Sequence, residues 1–232
     1  MVKQQIEQIK QSYDKAIEYG SKGIDLYKEL PKYIIDDPDY PAYQRLAENN
    51  TLSDSGRKEI GAYLNPTTNQ SFVDLGCCLN LMFRGYKEWH STYYGVDISS
   101  KTIQLLQHFA ESEHLTVGAL HCGSIHETPF ADNQFDIGAC IGVLEYFDQP
   151  FVESALKEIH RIMRPNTKLV LDVPDIGSPE NRIAMMIEEH LGRPDKYDLS
   201  TEEFEGLLCG KFEIVSKEKV GLMIQYFLRV TS

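Results

Sequence analysis

The run Ser71 to Asn80, SFVDLGCCLN, decides the fold: a short apolar strand ends on Asp74, and the chain turns two residues later at Gly76. About 20 residues downstream a second apolar stretch, Tyr93-Tyr94-Gly95-Val96, ends on Asp97 ahead of Ile98-Ser99, near the spacing at which a second-strand carboxylate meets a ribose. Gly76 lets the backbone approach a ligand where a Cβ would clash. Asp97 has the oxygens to accept hydrogen bonds from two vicinal hydroxyls. Each acid also has a local reading, Asp74 as a cap of its turn and Asp97 as an N-terminal acid of the next helix. The motifs that follow in order favour a nucleoside-binding α/β domain.

The 232 residues, 42% of them hydrophobic, are enough for one large domain or a domain with a modest cap. A formal net charge of -12 argues against nucleic acid and anionic membranes, whose phosphates call for clustered Lys and Arg. No stretch approaches the roughly 18 apolar residues that span a bilayer. The opening MVKQQIEQIKQ lacks the apolar centre of a signal peptide, so a cytoplasmic location is expected. The five cysteines, Cys77, Cys78, Cys122, Cys140 and Cys209, contain no CxxC pair, which suggests neither a disulfide framework nor a zinc site.

Apolar residues at Ile6, Ile9, Tyr13, Ala16 and Ile17 predict an amphipathic helix ending near Gly20. Another is expected over 24–33, after which Pro38 and Pro41 break regular structure. Ser53 or Asp54 caps a helix to about Leu64, with Arg57 in its first turn. Strands are predicted at Phe72 to Leu75, Thr92 to Asp97, Thr116 to His121, Phe135 to Ile141 and Lys168 to Val173. Helices are predicted at Leu79 to Trp89, Ser100 to Ser112 and Pro150 to Met163, with a loop over most of 122–133. This alternation implies a parallel sheet covered on both faces. After Pro174 come a helix to Leu191, a loop, and a short helix from Ser200 or Thr201 to Cys209. Two β-rich runs, Phe212 to Val220 and Leu222 to Val230, then form a terminal hairpin.

In this order the chain resembles the class I S-adenosylmethionine-dependent methyltransferases, in particular the small-molecule enzymes with a methyltransferase-11-like domain. The motifs are VDLGCCLN, GVDIS, SIHETPFADNQFDIGACIGVLEYF and LKEIHRIMRPNTKLVLDVPD, covering about Ser53 to Val173. The resemblance implies a Rossmann-like, doubly wound, mostly parallel seven-stranded sheet with a C-terminal antiparallel hairpin. It also implies an N-terminal helical lid over 1–52, the methyltransferase domain over 53–232, and a helical insertion at about 174–199. Asp74, Gly76 and Cys77 would flank the methionine portion of S-adenosylmethionine, and Asp97 would hold the ribose. Ile98 would pack on adenine, Ser124 and Ile125 would meet its edge, and Ile141 and Gly142 would line the methionyl side. The chain departs from the family at Cys78 and Asn80, where further glycines are usual, and at Gly123-Ser124, where an acid is usual.

Methyl transfer from a sulfonium is an in-line displacement that needs a base only when the acceptor arrives protonated. Glu145 and Tyr146, after the fourth strand, are the candidate catalytic residues, with a structural role for Glu145 as the competing reading. His126 reads as a solvated loop histidine, and His121 with Cys122 has no convincing further metal ligands. Six of the 13 tyrosines fall between Tyr13 and Tyr43, which makes Tyr13 and Tyr19 candidates to contact cofactor or acceptor. Met185, Met186 and His190 would stand on the opposite wall. No Asn- or Asp-Pro-Pro-Tyr signature follows the fourth strand, where Ile141-Gly142-Val143-Leu144 stands. The expected activity is methylation of O, N or C on a small-molecule acceptor by a monomer or homodimer, giving S-adenosylhomocysteine. The glycine-poor first motif supports an alternative, a noncatalytic cofactor-binding or regulatory subunit. A nicotinamide oxidoreductase is disfavoured, since Asp74-Leu75-Gly76 lacks the three-glycine turn and Asp74 would repel a pyrophosphate.

Overall fold

A computed structural model describes residues 2–23, 27, 29–49, 51–52, 58–77, 90–193 and 195–232. Its strands are β1 (Ser71–Leu75), β2 (Thr92–Asp97), β3 (Val117–Cys122), β4 (Phe135–Cys140), β5 (Met163–Pro174), β6 (Phe212–Val220) and β7 (Met223–Val230). They form one sheet in the order β3-β2-β1-β4-β5-β7-β6. The first five run parallel, and β7 is antiparallel to both β5 and β6. The chain builds outward from β1 through β2 to β3, then crosses back to place β4 on the other side of β1. That reversal leaves a crevice outside the carboxyl ends of β1, β2 and β4, the position where open α/β sheets bind ligands.

Side-chain alternation assigns the two faces. In β1, Phe72 packs with Tyr93, Ile137, Ala139 and Val170 on one face, while Val73 and Leu75 pack on the other, as a period of two requires. The first face is covered by Ile60 and Leu64 of α4 (Lys58–Leu64) and by Leu106 of α5 (Ser100–Ser112). The second is covered by α6 (Gln149–Ile162), whose Phe151, Val152, Ala155, Leu156, Ile159 and Ile162 are all buried at helical spacing. Ser99 caps α5 by accepting from Thr102 N–H, and Asp148 caps α6 by accepting from Phe151 N–H.

The long α1 (Val2–Ser21) lays Ile6, Ile9 and Tyr13 onto the core that α6 covers. Two short helices, α2 (Lys32–Ile35) and α3 (Tyr40–Glu48), pack instead on α7 (Pro179–His190), where Ile34 and Tyr43 meet Ile183, Ala184 and Ile187. A capping box at Ser200 and Glu203 opens α8 (Thr201–Leu208).

The structure corrects several expectations. Pro41 does not break regular structure but sits in the first turn of α3, where its missing N–H has no helical acceptor to serve. The turn after α6 is drawn into β5: Met163 pairs with Phe135, and the register shifts before Lys168 pairs with Ile137, with Asn166 at φ 63. The hairpin turn has two residues, Gly221-Leu222, and Gly221 is at φ 58, the conformation a glycine-first two-residue turn needs. A Cβ on Gly221 would fall 2.1 Å from Thr51 O. The helix predicted over 24–33 is not formed at its described residues 27 and 29–31, and helix begins only at Lys32; residues 24–26 and 28, the predicted helix over 79–89, and the Ser53, Asp54 and Arg57 helix start lie outside the described residues. So do Cys78 and Asn80.

Candidate active site

Asp97 ends β2 at the crevice, and its Oδ1 accepts the Ser99 N–H at 2.7 Å. Ser99 Oγ in turn donates to Asp14 of α1. Two further bonds tie α1 to the strand ends: Tyr13 and Tyr146 hydroxyls lie 3.1 Å apart, and Gln5 Nε2 donates to Tyr146 O at 2.9 Å. Burial pushes the Asp97 carboxyl up to about 6, opposed by the Ser99 N–H and reinforced by Asp14. A buried carboxylate of this kind is stabilised by any ligand that brings it hydroxyl donors.

A cavity opens beside Asp97. Gly76 and Gly142 line it at the strand ends, Ile98, Gly123, Ser124 and Ile125 on one side, Val143, Tyr146, Phe147 and Phe151 on another, and Ile9 and Tyr13 of α1 above. Asp97 is the one carboxylate among the described residues that line it. Gly76 is at φ 75, and a Cβ there would fall 2.1 Å from Val143 Cγ2. Backbone conformation and space therefore both require glycine. Gly142, at φ 69, donates its N–H to Asp172 Oδ1 at 2.8 Å. Buried Asp172 thus holds the turn after β4, and burial pushes its carboxyl up to about 7.

Three of the residues named from sequence point elsewhere. Asp74 is 4% exposed, faces the opposite side of the sheet and accepts the Tyr93 hydroxyl at 2.8 Å. Burial pushes it up to about 7, partly offset by that bond. Cys77 and Ile141 pack into the same opposite core. Glu145 belongs to a neighbouring cavity described below. Tyr19 does not line the first cavity; its ring stands under Lys15 Nζ, 5.5 Å from the centroid. His126 lies in the loop after β3 and is half-buried: Ser124 Oγ lies 2.6 Å from its Nδ1, and its ring lies 5.0 Å from that of Phe151. No group of His, Cys, Asp and Glu among the described residues is arranged to hold a metal, and none of their helices is long and apolar enough to cross a membrane.

Sequence reasoning missed Ile9, Val143, Phe147, Phe151 and Asp172. The signal for Asp172 was there, since a lone acid inside the apolar run Leu169-Val170-Leu171-Asp172-Val173 must find a partner or a function. Phe147 and Phe151, one helical turn apart and stacked at 3.6 Å between centroids, were visible as a pair, but nothing local says which cavity they face.

A second cavity of about 240 Å³ adjoins the first and shares Tyr146 with it. Its walls come from Tyr27, Tyr43, Glu145, Pro174, Asn181, Ile187, Glu188, Asp195 and Met223, among others. Glu145 O accepts the N–H groups of Lys196 and Tyr197, drawing the 195–197 loop against the end of β4. Arg193, 7% exposed, donates through Nε to Glu188 Oε2 at 2.8 Å, bonds the Tyr27 hydroxyl and stands over the Tyr13 ring at 5.5 Å. Glu188 is therefore compensated, whereas burial first, and neighbouring acids second, push the carboxyl of Glu145 well up and that of Asp195 to about 7.

Residues 73–171 match the family model of a methyltransferase domain, a span running from Val73 in β1 to Leu171 in β5 and holding most of the first cavity. Over 138 residues the chain is 31% identical to an uncharacterised protein of Methanocaldococcus jannaschii, covering 58% of this chain and 55% of that one. Over 121 residues it is 28% identical to the O-methyltransferase resE of Aspergillus sclerotiorum, covering 49% and 43%. The chain thus spans about half the length of the curated relatives it matches. Among solved structures, a geranyl diphosphate C-methyltransferase of Streptomyces coelicolor, in complex with Mg2+, geranyl diphosphate and S-adenosyl-L-homocysteine, superposes with a TM-score of 0.67 at 12% identity over 98% of both chains. A Pyrococcus horikoshii protein gives 0.58 at 18% identity, covering 88% of this chain and all of that one. The seven-stranded fold is that of the class I methyltransferases.

Proposed function

We propose, from the premise that residues 73–171 are a methyltransferase domain of the class I fold, that the protein transfers a methyl group from S-adenosylmethionine to a small-molecule acceptor, releasing S-adenosylhomocysteine. The observation that carries this reading is Asp97: one carboxylate at the edge of an otherwise largely apolar, glycine-floored cavity at the sheet's switch point. S-adenosylmethionine supplies a methyl already activated on sulfur, so the chain has to position it, orient the acceptor and exclude water.

The residues suit those tasks. Asp97 accepts the two ribose hydroxyls, which replace the water that burial denies it. Ile98 offers an apolar face to adenine, and Ser124, held by His126, meets its polar edge. Gly76 and Gly142 leave backbone room for the methionyl chain, with Asp172 fixing the Gly142 turn. Ile9 and Tyr13 of α1 close over the cavity, so residues 1–52 act as a lid. Tyr146 stands between the two cavities. Glu145 reaches the same boundary, since a Cβ placed on Gly142 would stand 3.8 Å from its Oε1. It is the group positioned to take a proton from an acceptor that arrives protonated.

The reading is tested by calorimetric titration of S-adenosylhomocysteine into the intact protein and into Asp97→Ala. The substitution removes two charge-assisted hydrogen bonds, so affinity should fall by about 100-fold, or about 2.7 kcal/mol. Absence of binding by the intact protein would overturn the proposal.

A further inference from the structure

We infer that the second cavity receives the methyl acceptor as a primary or secondary amine, bound as a cation. This rests on the methyltransferase reading above and names the substrate class for it. The buried polar atoms of this cavity that lack a hydrogen-bond partner among the described residues are Glu145 Oε2, Asn181 Oδ1 and Asp195 Oδ1. All three are acceptors. Asn181 is 2% exposed, and its Nδ2 donates to Leu222 O at 3.3 Å, which commits its amide nitrogen and leaves the oxygen unpaired. A native interior seldom leaves such atoms unpaired, because each costs about 1–3 kcal/mol.

The three acceptors select among ligand chemistries. A primary ammonium has three N–H donors, as many as this cavity has unpaired acceptors. A hydroxyl brings a single donor and leaves two acceptors unpaired. A carboxylate or phosphate brings none, and it would face Glu145 and Asp195 across a space whose nearby cation, Arg193, is already paired with Glu188. No group of three or more His, Cys, Asp and Glu side chains among the described residues is arranged to hold a metal ion. The remaining walls, Tyr27, Tyr43, Ile187 and Met223, suit an organic body, and aromatic faces attract a cation. Burial pushes both free carboxyls up, a condition that a bound cation relieves.

In the transfer the ammonium gives one proton to the Glu145 carboxylate, which frees the nitrogen lone pair. That pair then forms the N–CH3 bond as the S–CH3 bond breaks and its electrons remain on sulfur as the thioether. The product is a protonated N-methylamine, and Glu145 returns its proton to solvent as product leaves.

The test uses the full chain saturated with S-adenosylhomocysteine, titrated with phenethylamine, 2-phenylethanol and phenylacetate. A panel of primary and secondary amines, each with its matching alcohol, is then assayed for labelled methyl transfer. Amines should bind at least about ten-fold more tightly than their alcohols, with the carboxylate weakest. Asp195→Asn should lose that preference while keeping its affinity for S-adenosylhomocysteine, and Glu145→Gln should lose amine turnover. Alcohols or carboxylates matching the amines, no amine bound by the loaded protein, or a preference that survives both substitutions would each overturn the inference. Failure to bind S-adenosylhomocysteine would instead sink the methyltransferase reading, whereas cofactor binding with alcohol methylation would spare that reading and sink this one.

Discussion

The two cavities meet at Tyr146 and are built on opposite principles. The first is made from the carboxyl ends of neighbouring parallel strands, with two positive-φ glycines and a single acid, and its walls are mostly apolar. The second is made from parts distant in sequence: the region of Tyr27 and Tyr43, the end of the turn after β4, α7, and the 195–197 loop. It holds several carboxyls, and one buried arginine balances one of them. The contrast teaches that the first cavity is a backbone feature specialised for one ligand, while the second is a side-chain feature whose stability depends on charge balance.

This difference is open to attack at several points. The largest effect is expected at Arg193. Replacing it with Met leaves Glu188 uncompensated in a buried setting, which should cost about 3 kcal/mol of unfolding free energy, measured by urea denaturation, with a much smaller change in cofactor affinity. Asp97→Ala should do the reverse, with the roughly 100-fold loss of S-adenosylhomocysteine affinity and little loss of stability. If both variants instead lost stability and affinity in equal measure, the two cavities would be one cooperative unit.

A third test concerns Asp74, which lies beneath the first cavity. Its folded value is raised from 3.8 to about 7, so the folded state holds a proton that the unfolded chain releases. The associated stability is fully present below about pH 4 and is lost as pH rises through 7. Asp74→Asn keeps an acceptor for Tyr93 but removes this titration. The fall in unfolding free energy between pH 4 and 7 should therefore flatten by up to about 1.4 kcal/mol per pH unit. Asp97, Asp172 and Asp195 are raised in the same direction and keep part of the slope. An unchanged slope would show that Asp74 is ionised in the folded protein. The smallest effect belongs to Tyr13→Phe, which removes the hydroxyl contact to Tyr146 at the boundary. It should weaken cofactor binding by about five-fold or less, the worth of one net hydrogen bond, without altering stability at α7.

Much of the architecture was legible because it is written locally. The bounds of β2 and β6 follow from short runs between turn residues, and the start of α8 was recognisable at Ser200 or Thr201 from its position before an apolar-periodic segment. Pro41 was misread because a proline that stops one helix also starts another, and only the packing of α3 on α7 decides between them. The residues between the predicted helix and the strand at Lys168 are absorbed into β5 by pairing with β4, a partner that the local sequence does not name.

The candidate site divides the same way. Gly76, Asp97, Ile98, Ser124, Ile125 and Gly142 fall at strand ends, and strand ends are a one-dimensional property of the chain. Asp74 shows the limit: it stands at the same strand end as Gly76, but the alternation within β1 puts its side chain on the Phe72 face, where Tyr93 holds it. By itself the sequence determined an α/β sheet and the places where its strands stop, because periodicity and capping act over a few residues. Only the tertiary structure decided which face each acid serves, and that Glu145, Asn181 and Asp195 share one cavity. Those residues are brought together by helix packing and loop closure across the chain, for which no local pattern encodes the partner.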